Sequence, residues 1–215
     1  MSCWALVPIK SRAECKGRLA NWLAPAERLS IVREMAACVL AAVRGTHSID
    51  HVAVVTPERD CVPMDVLVLD DPGCGLNPAL EFARHKLVAR GADELIVLPA
   101  DLPLVTAADI DLLVAHGRLT GFALATDAAC TGTNALFIKP ADAFRFQFGP
   151  DSRRHHLAEG ARLGWTAESV RTRGLEFDLD RGEDLLQLRM QADARFASLN
   201  IMPVGGAWLP RTRFG

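Results

Sequence analysis

Residues 94–103, Glu94-Leu95-Ile96-Val97-Leu98-Pro99-Ala100-Asp101-Leu102-Pro103, decide the fold. The unbroken apolar run Glu94–Leu98 reads as a strand buried on both faces, which is the signature of a parallel sheet rather than a half-exposed one. Pro99 and Pro103 close it, and Asp101 stands just past its end. Thr106, with Asp109 three residues on, is a capping box that predicts a helix to about Gly117. The same alternation extends upstream. Cys3–Ile9, His51–Val55 and Val66–Leu69 read as strands. Pro25 predicts the first turn of a helix that runs to about Arg44, with Gly45 at its end. Asn77 as N-cap and Pro78 behind it predict a helix to about Arg90. Strands alternating with helices give an α/β fold with a mainly parallel sheet covered on both faces. In such sheets ligands bind at the carboxyl ends of the strands. That rule selects the loops 10–21, 56–60, 70–77 and 99–105.

The second half is less regular. Phe122–Thr126 and Asn134–Ile138 read as strands around a small-residue loop, Ser152–Leu163 as a helix, Trp165–Val170 as a strand and Glu183–Phe196 as a last helix. The tail from Ala197 to Gly215 is open between an extended arm, a segment packed on a partner subunit (a homodimer) and disorder.

At 215 residues the chain suits one large domain or a domain with a small appendage. Lys plus Arg number 24 and Asp plus Glu 26, a formal net charge of −2. No global basic field marks a nucleic-acid binder, so any anionic ligand must be held by a local cluster. The N-terminus lacks the basic region and apolar length of a signal peptide. The longest apolar helical stretch, Met35 to Val43, is far short of the roughly 20 residues that span a bilayer. A cytoplasmic, reduced protein is expected. The six Cys residues show neither metal-ligand nor disulfide spacing and read as small core fillers. Cys15 and Cys74 fall in site loops without an evident base.

Five constellations could carry chemistry. Lys10, Arg12, Lys16 and Arg18, opposed only by Glu14, follow a buried strand and suit a polyphosphate, or are a solvated basic loop. Asp101 at the sheet's active edge could hold Mg²⁺ against phosphate oxygens, or be a turn residue before Pro103. Asp178 and Asp180 share a face if 177–180 is extended, and either could be a second metal ligand. The alternative is helix-capping and first-turn acids around Glu183 and Asp184. Thr131-Gly132-Thr133-Asn134 and Phe148-Gly149-Pro150-Asp151-Ser152 could present backbone donors and a helix N-terminus to a small anion, or be ordinary turn and cap chemistry. His155 and His156 fall on different helix faces, one expected at the surface, and no metal is assigned to them.

The order of these segments resembles the phospholactate/phosphoenolpyruvate guanylyltransferase family of deazaflavin coenzyme biosynthesis, through most of residues 4–190. The anchors are VPIKSRAECKGRL at 7–19, PAER at 25–28, GLNPAL at 75–80, LPADLPLVT at 98–106, GTNAL at 132–136, FGPDS at 148–152, HLAE at 156–159 and DLDRGEDL at 178–185. LPADLP is common to many nucleotidyltransferases. GTNAL followed by FGPDS is the more specific pair.

The resemblance implies a single-domain, Rossmann-like three-layer sandwich of the nucleotide-diphospho-sugar transferase (glycosyltransferase-A) type, with a mixed, mainly parallel sheet. Residues 1–197 would form the nucleotidyltransferase domain and 198–215 a C-terminal tail. It implies GTP and a small phosphorylated acid (2-phospho-L-lactate, phosphoenolpyruvate or 3-phosphoglycerate) as substrates, with release of pyrophosphate and Mg²⁺ as cofactor. Under it Lys10, Lys16, Arg18 and Asp101 do the catalytic work on the triphosphate, and Thr56, Gly75 and Asn77 lie near guanine and ribose. Asp101 and Asp180, with Asp178 as the alternative, hold the metal. Thr133, Gly149 and Ser152 receive the acceptor. The family pattern carries Thr-Pro where this chain has Arg181-Gly182. A molybdopterin-type or sugar-phosphate nucleotidyltransferase, and a non-catalytic nucleotide-binding protein, are the rival readings.

Overall fold

A computed structural model describes residues 2–10, 16–59 and 62–190. Arg12 and Cys15 of the basic loop, Cys61, the expected last helix beyond 190 and the tail 198–215 lie outside the described residues. Seven strands form one sheet: β1 Cys3–Pro8, β2 His51–Thr56, β3 Leu67–Asp70, β4 Glu94–Val97, β5 Phe122–Ala125, β6 Ala135–Ile138 and β7 Glu168–Ser169. Their spatial order is β3-β2-β1-β4-β6-β5-β7. All neighbouring pairs are parallel except those of β6, which runs antiparallel to both β4 and β5. The α/β sheet is therefore mixed and mainly parallel.

Side-chain alternation along each strand feeds two cores. Cys3, Ala5 and Val7 of β1, with Ile96 of β4 and Phe137 of β6, pack against helices α1 (Pro25–Arg44) and α3 (Ala107–Thr120). Trp4 and Leu6, with Leu95, Val97 and Leu136, face the other way onto α2 (Leu76–Val88). Helix α4 (Ser152–Arg162) joins that second layer, where Gly160 lets the ring of Phe122 come so close that a Cβ would sit 2.6 Å from it. The result is three layers, each face removing apolar area from water.

A third, smaller cluster matters more for the site. Leu19 and Leu23 pack with Ile31 and Met35 of α1 and with Leu179, Leu185 and Leu188 near the end of the described chain. It binds the loop after β1 to the segment that carries Asp178 and Asp180. Trp22 lies against it, and Gly182 opens a helix over Gly182–Met190 directly beneath the indole. A Cβ at Gly182 would stand 2.0 Å from Trp22 Cε2, so any larger residue there would have to displace the indole.

Most expected elements fall where the pattern puts them, with four differences. Helix α2 starts at Leu76 after Gly75 at φ 96°, so Asn77 is inside the first turn and not its cap. Helix α3 continues past Gly117 to Thr120 and stops on Gly121 in the left-handed region. The strand expected over 165–170 shrinks to Glu168–Ser169, because Trp165 and Ala167 pack down onto the core. A short helix α5, Arg173–Glu176, adds an element that the periodicity does not mark; Thr172 caps it. The Gly182–Met190 helix is thus α6. Cys3 and Cys38 are buried as expected of core fillers, but Cys74 and Cys130 are exposed on loops.

Candidate active site

Strands β1 and β4 are neighbours, so the loops after them meet. A cavity of about 480 Å³ opens at that edge, within the range of roughly 300–1,000 Å³ usual for small-molecule sites. Lys10, Lys16 and Arg18 enter from the β1 side, and Pro99 to Asp101 from β4. Because β6 runs backwards, its beginning rather than its end reaches the same edge, bringing Gly132, Thr133 and Asn134. Phe148, Gly149 and Ser152 at the start of α4 complete the opposite wall. A smaller recess of about 210 Å³ adjoins it through shared Pro8, Ile9, Lys10 and Leu76, and extends to Pro57, Asp71, Gly73 and Gly75.

The centre of the cavity is ionic. Lys16 Nζ donates to Asp101 Oδ2 at 2.9 Å and to Asp180 Oδ1 at 2.6 Å. Arg18 reaches the other oxygen of Asp180 at 3.5 Å. The Lys16 side chain is only 13% exposed. Burial alone would lower its pKa, but the two carboxylates outweigh burial and raise it, so the ammonium is fixed in its charged state. Burial likewise pushes Asp180 up, and Lys16, with help from Arg18 and Lys10, overcomes this and lowers it.

Among the described residues Asp178 has no such cation beside it. Burial first, then the charges of Asp101 and Asp180, raise its pKa to about 6, against the Asn134 amide at 3.4 Å and its own backbone N–H. The backbone holds these acids in place: Leu179 N–H donates to the Asp101 carbonyl, and Leu179 itself is buried in the third cluster. Asp178 and Asp180 alternate with it toward the cavity, as the extended reading requires. The first-turn acid of the last helix acts elsewhere, for Asp184 Oδ2 accepts from the backbone N–H of Asp180 and Arg181. Capping and site roles thus fall to different acids of one segment.

Backbone conformation is unusual at the same place. Among the described residues, the non-glycine positions with positive φ are Lys16, Cys130 and Asp151. Each lies in or beside a loop that lines the cavity, as strained residues commonly do at functional sites.

Two residues implied by the resemblance face elsewhere. Thr56 is fully buried, and its hydroxyl accepts from the N–H of Glu58 to close the turn after β2. The Asn77 amide clamps the backbone of Phe148 from both sides, donating to its carbonyl at 2.9 Å and accepting from its N–H at 2.7 Å. Asn77 therefore supports the wall next to Gly149. Gly75 does line the smaller recess.

Three contributors escape the sequence reading. Asp127 follows β5 as Asp101 follows β4, so the strand-end rule could have found it. It lines the cavity, and its Oδ1 accepts from the N–H of Thr131 and Gly132. Asp71 lines the recess, with Oδ1 on the Gly73 N–H. His156 lies behind Thr133.

The donor set suits Mg²⁺. Four carboxylates line the cavity, all hard oxygen ligands; Asp127 is turned onto the N–H groups of Thr131 and Gly132, while Asp178 is left without a cation beside it among the described residues. Among the described residues no group of three or more His, Cys, Asp and Glu is gathered as a preformed metal cage. Mg²⁺ needs none, since it takes one or two carboxylates and completes its shell with water and substrate phosphates.

A mainly parallel sheet of this strand order, with a lysine between two acids at its active edge, invites comparison with nucleotidyltransferases. Residues 3–201 match the family model described as guanylyl transferase CofC like. The chain belongs to that family. It is 38% identical over 192 residues to the phosphoenolpyruvate guanylyltransferase of Sphaerobacter thermophilus, covering 87% of this chain and 93% of the relative. It is 36% identical over 201 residues to the enzyme of the same name from Rubrobacter xylanophilus, covering 91% and 98%. Among solved structures, a provisionally named nucleotide-diphospho-sugar transferase from Desulfovibrio desulfuricans G20 superposes with a TM-score of 0.74 at 14% identity, over 93% of this chain and 92% of that one. The 4-diphosphocytidyl-2C-methyl-D-erythritol synthase of Anaerococcus prevotii gives 0.62 at 9% identity, over 88% and 96%. Likeness at this identity speaks for the fold alone, and that is the nucleotide-diphospho-sugar transferase fold. As a CofC-like guanylyl transferase the chain is an enzyme of the nucleotidyltransferase class. Among the described residues no helix is long and apolar enough to cross a membrane.

Proposed function

We propose that this enzyme transfers the GMP unit of GTP to the phosphate of a small phosphorylated acid, phosphoenolpyruvate before 2-phospho-L-lactate or 3-phosphoglycerate, and releases pyrophosphate. The observation that carries the reading is Lys16, held between Asp101 and Asp180 across from an anion-sized wall of Thr133, Gly149 and Ser152. The names of the relatives favour guanylyl transfer and phosphoenolpyruvate. The family resemblance supplies the setting, assembly of a deazaflavin coenzyme.

The reaction joins two anions. An oxygen of the acceptor phosphate attacks the α-phosphorus of GTP; the bond from that phosphorus to the oxygen bridging the α- and β-phosphates breaks, and pyrophosphate leaves with the electron pair. A phosphate monoester is largely ionised at neutral pH, so no strong general base is required. Positioning and charge compensation are what the protein has to supply. Lys16, Lys10 and Arg18 lie where the triphosphate would enter, and they offset the charge that collects on the leaving pyrophosphate. On the far wall, Ser152 opens helix α4, whose positive dipole end suits the acceptor's carboxylate or phosphate; the N–H groups of Ser152 and Arg153 already donate to the carbonyls of Gly149 and Thr131. Asp101, with Asp180 or Asp178, would hold Mg²⁺, which when bound would screen the phosphates from one another and polarise the α-phosphoryl group. The smaller recess, apolar along Pro8, Ile9 and Leu76 with Asp71 at its rim, is where the base would lie.

The deciding experiment is a matrix of nucleoside triphosphates against phosphorylated acids with Mg²⁺, reading pyrophosphate release and product mass. GTP with phosphoenolpyruvate is expected to give the guanylated diphosphate. Turnover only with CTP or ATP, or only with a sugar phosphate or molybdopterin, would replace this reading with a sister nucleotidyltransferase. GTP binding without pyrophosphate release from any acceptor would favour a non-catalytic protein.

A further inference from the structure

His156 is fully buried, yet it sits one hydrogen bond from the cavity. Its two ring nitrogens have different neighbours. Nε2 lies 3.0 Å from the backbone nitrogen of Gln147, and Nδ1 lies 3.0 Å from Thr133 Oγ1. A backbone N–H can only donate, so Nε2 must be the bare nitrogen and the proton must sit on Nδ1. Burial first, then the neighbouring His155, lowers the ring's pKa to about 4 against the opposing pull of Glu159. Phe144 and Phe148 pack around it, with ring centroids at 5.6 and 4.7 Å. The imidazole is thus neutral and held in a single tautomer.

The consequence falls on Thr133. Its oxygen accepts from Nδ1–H, so its own proton must point away from the imidazole. Thr133 is nearly buried and lines the cavity beside Gly149 and Ser152. The hydroxyl proton is therefore left for a partner other than the imidazole.

We propose that His156 is a positioning residue for acceptor binding: it holds the Thr133 hydroxyl as a hydrogen-bond donor aimed at an anionic oxygen of the bound phospho-acid. This rests on the acceptor assignment above. A threonine free to rotate could offer a lone pair instead, which would repel a carboxylate or phosphate.

Two amide substitutions separate the two nitrogens. His156→Asn places its amide nitrogen near Nδ1, keeping a donor for Thr133 while abandoning Gln147. His156→Gln places its amide near Nε2, satisfying Gln147 while leaving Thr133 without a donor. The expected pattern in steady-state kinetics is an acceptor KM raised about tenfold in His156→Gln, with the KM for GTP within about twofold of wild type. In His156→Asn the acceptor KM stays near wild type, although thermal stability falls. Thr133→Val raises the acceptor KM as well, and adding His156→Gln to it has no further effect.

A GTP KM that rises in parallel, or additive effects of the two substitutions, would overturn the proposal. ¹⁵N-histidine NMR of the unmodified enzyme at pH 7 gives a reading free of folding or turnover. The His156 ring is expected neutral with its proton on Nδ1, and the opposite tautomer or a protonated ring would overturn the proposal. If no phospho-acid is turned over, the acceptor assignment fails, while the tautomer still reports on the imidazole.

Discussion

Lys16 and Asp180 are 164 residues apart in the chain and 2.6 Å apart in space. The contact is possible because the third apolar cluster packs Leu19 and Leu23 against Leu179 and Leu185. One ammonium so placed also reaches Asp101, and the three side chains bring the loop after β1, the loop after β4 and the last described segment to one point.

Replacing Lys16 by Ala leaves Asp101 and Asp180 facing each other without a shared cation, since the contact of Arg18 is with Asp180, at 3.5 Å, and not with Asp101. A charge-assisted hydrogen bond to phosphate is worth about 1.5–3 kcal/mol. GTP affinity is therefore expected to fall by about tenfold or more. Titration calorimetry checks this, and an unchanged Kd would remove Lys16 from the nucleotide site.

Asp101→Asn keeps shape and removes charge. Its backbone carbonyl still accepts from Leu179, so the fold should hold. Turnover is expected to drop at least about a hundredfold, as for other losses of a principal electrostatic group. The assay is pyrophosphate release at saturating Mg²⁺, beside a thermal melt that should be close to wild type.

Asp178 predicts a pH-dependent stability difference. Its folded pKa is raised from 3.8 to about 6 by burial and by Asp101 and Asp180. Between those values the folded protein binds more protons than the unfolded chain, so this group's contribution declines as pH rises from the lower value through the higher. Asp178→Asn removes that decline. Without added metal the variant should melt above wild type at about pH 7.5 and close to it at about pH 4. The opposite slope from His156, whose pKa is lowered, is present in both proteins and cancels in the comparison. Equal differences at both pH values would contradict the argument.

Gly182→Ala should destabilise the chain, because the new methyl would meet the Trp22 indole at 2.0 Å. Forced overpacking of this kind costs about 1–3 kcal/mol. Trp22→Leu added to Gly182→Ala should recover part of the loss of Tm. A melt of the single variant at wild-type temperature would show that the indole moves aside freely.

The main lines of the fold are legible because strongly periodic segments with plain caps leave little choice. Pro25 to Arg44 and the Thr106–Asp109 box are observed as read. Asn77 misleads because cap residues and tertiary clamps use the same side-chain chemistry. Gly75, at positive φ, takes the cap position and leaves the amide for Phe148. The strand over 165–170 is overextended because Trp165 looks equally apolar in a strand and in a loop packed on a core. In the site, the basic loop points to Lys16, the strand-end rule to Asp101 and the alternation of 177–180 to Asp180. Their meeting is implied by the family resemblance and is not legible in the residue pattern itself, since it depends on Leu19 and Leu179, which carry no chemical signature. Nor does the pattern of residues 148–156 show that His156 turns inward to Thr133.

The reversed direction of β6 divides labour along the chain. Under the proposed function, what would face the triphosphate comes from the loops after β1 and β4 and from the 178–180 segment, whereas the opposite wall comes from residues 127–152, anchored by Asp127, Asn77 and His156. Exchange of that one contiguous stretch between relatives would retune which acid is accepted and leave the guanylyl donor's surroundings nearly untouched, a short route by which sister enzymes could diverge in one substrate while sharing the other.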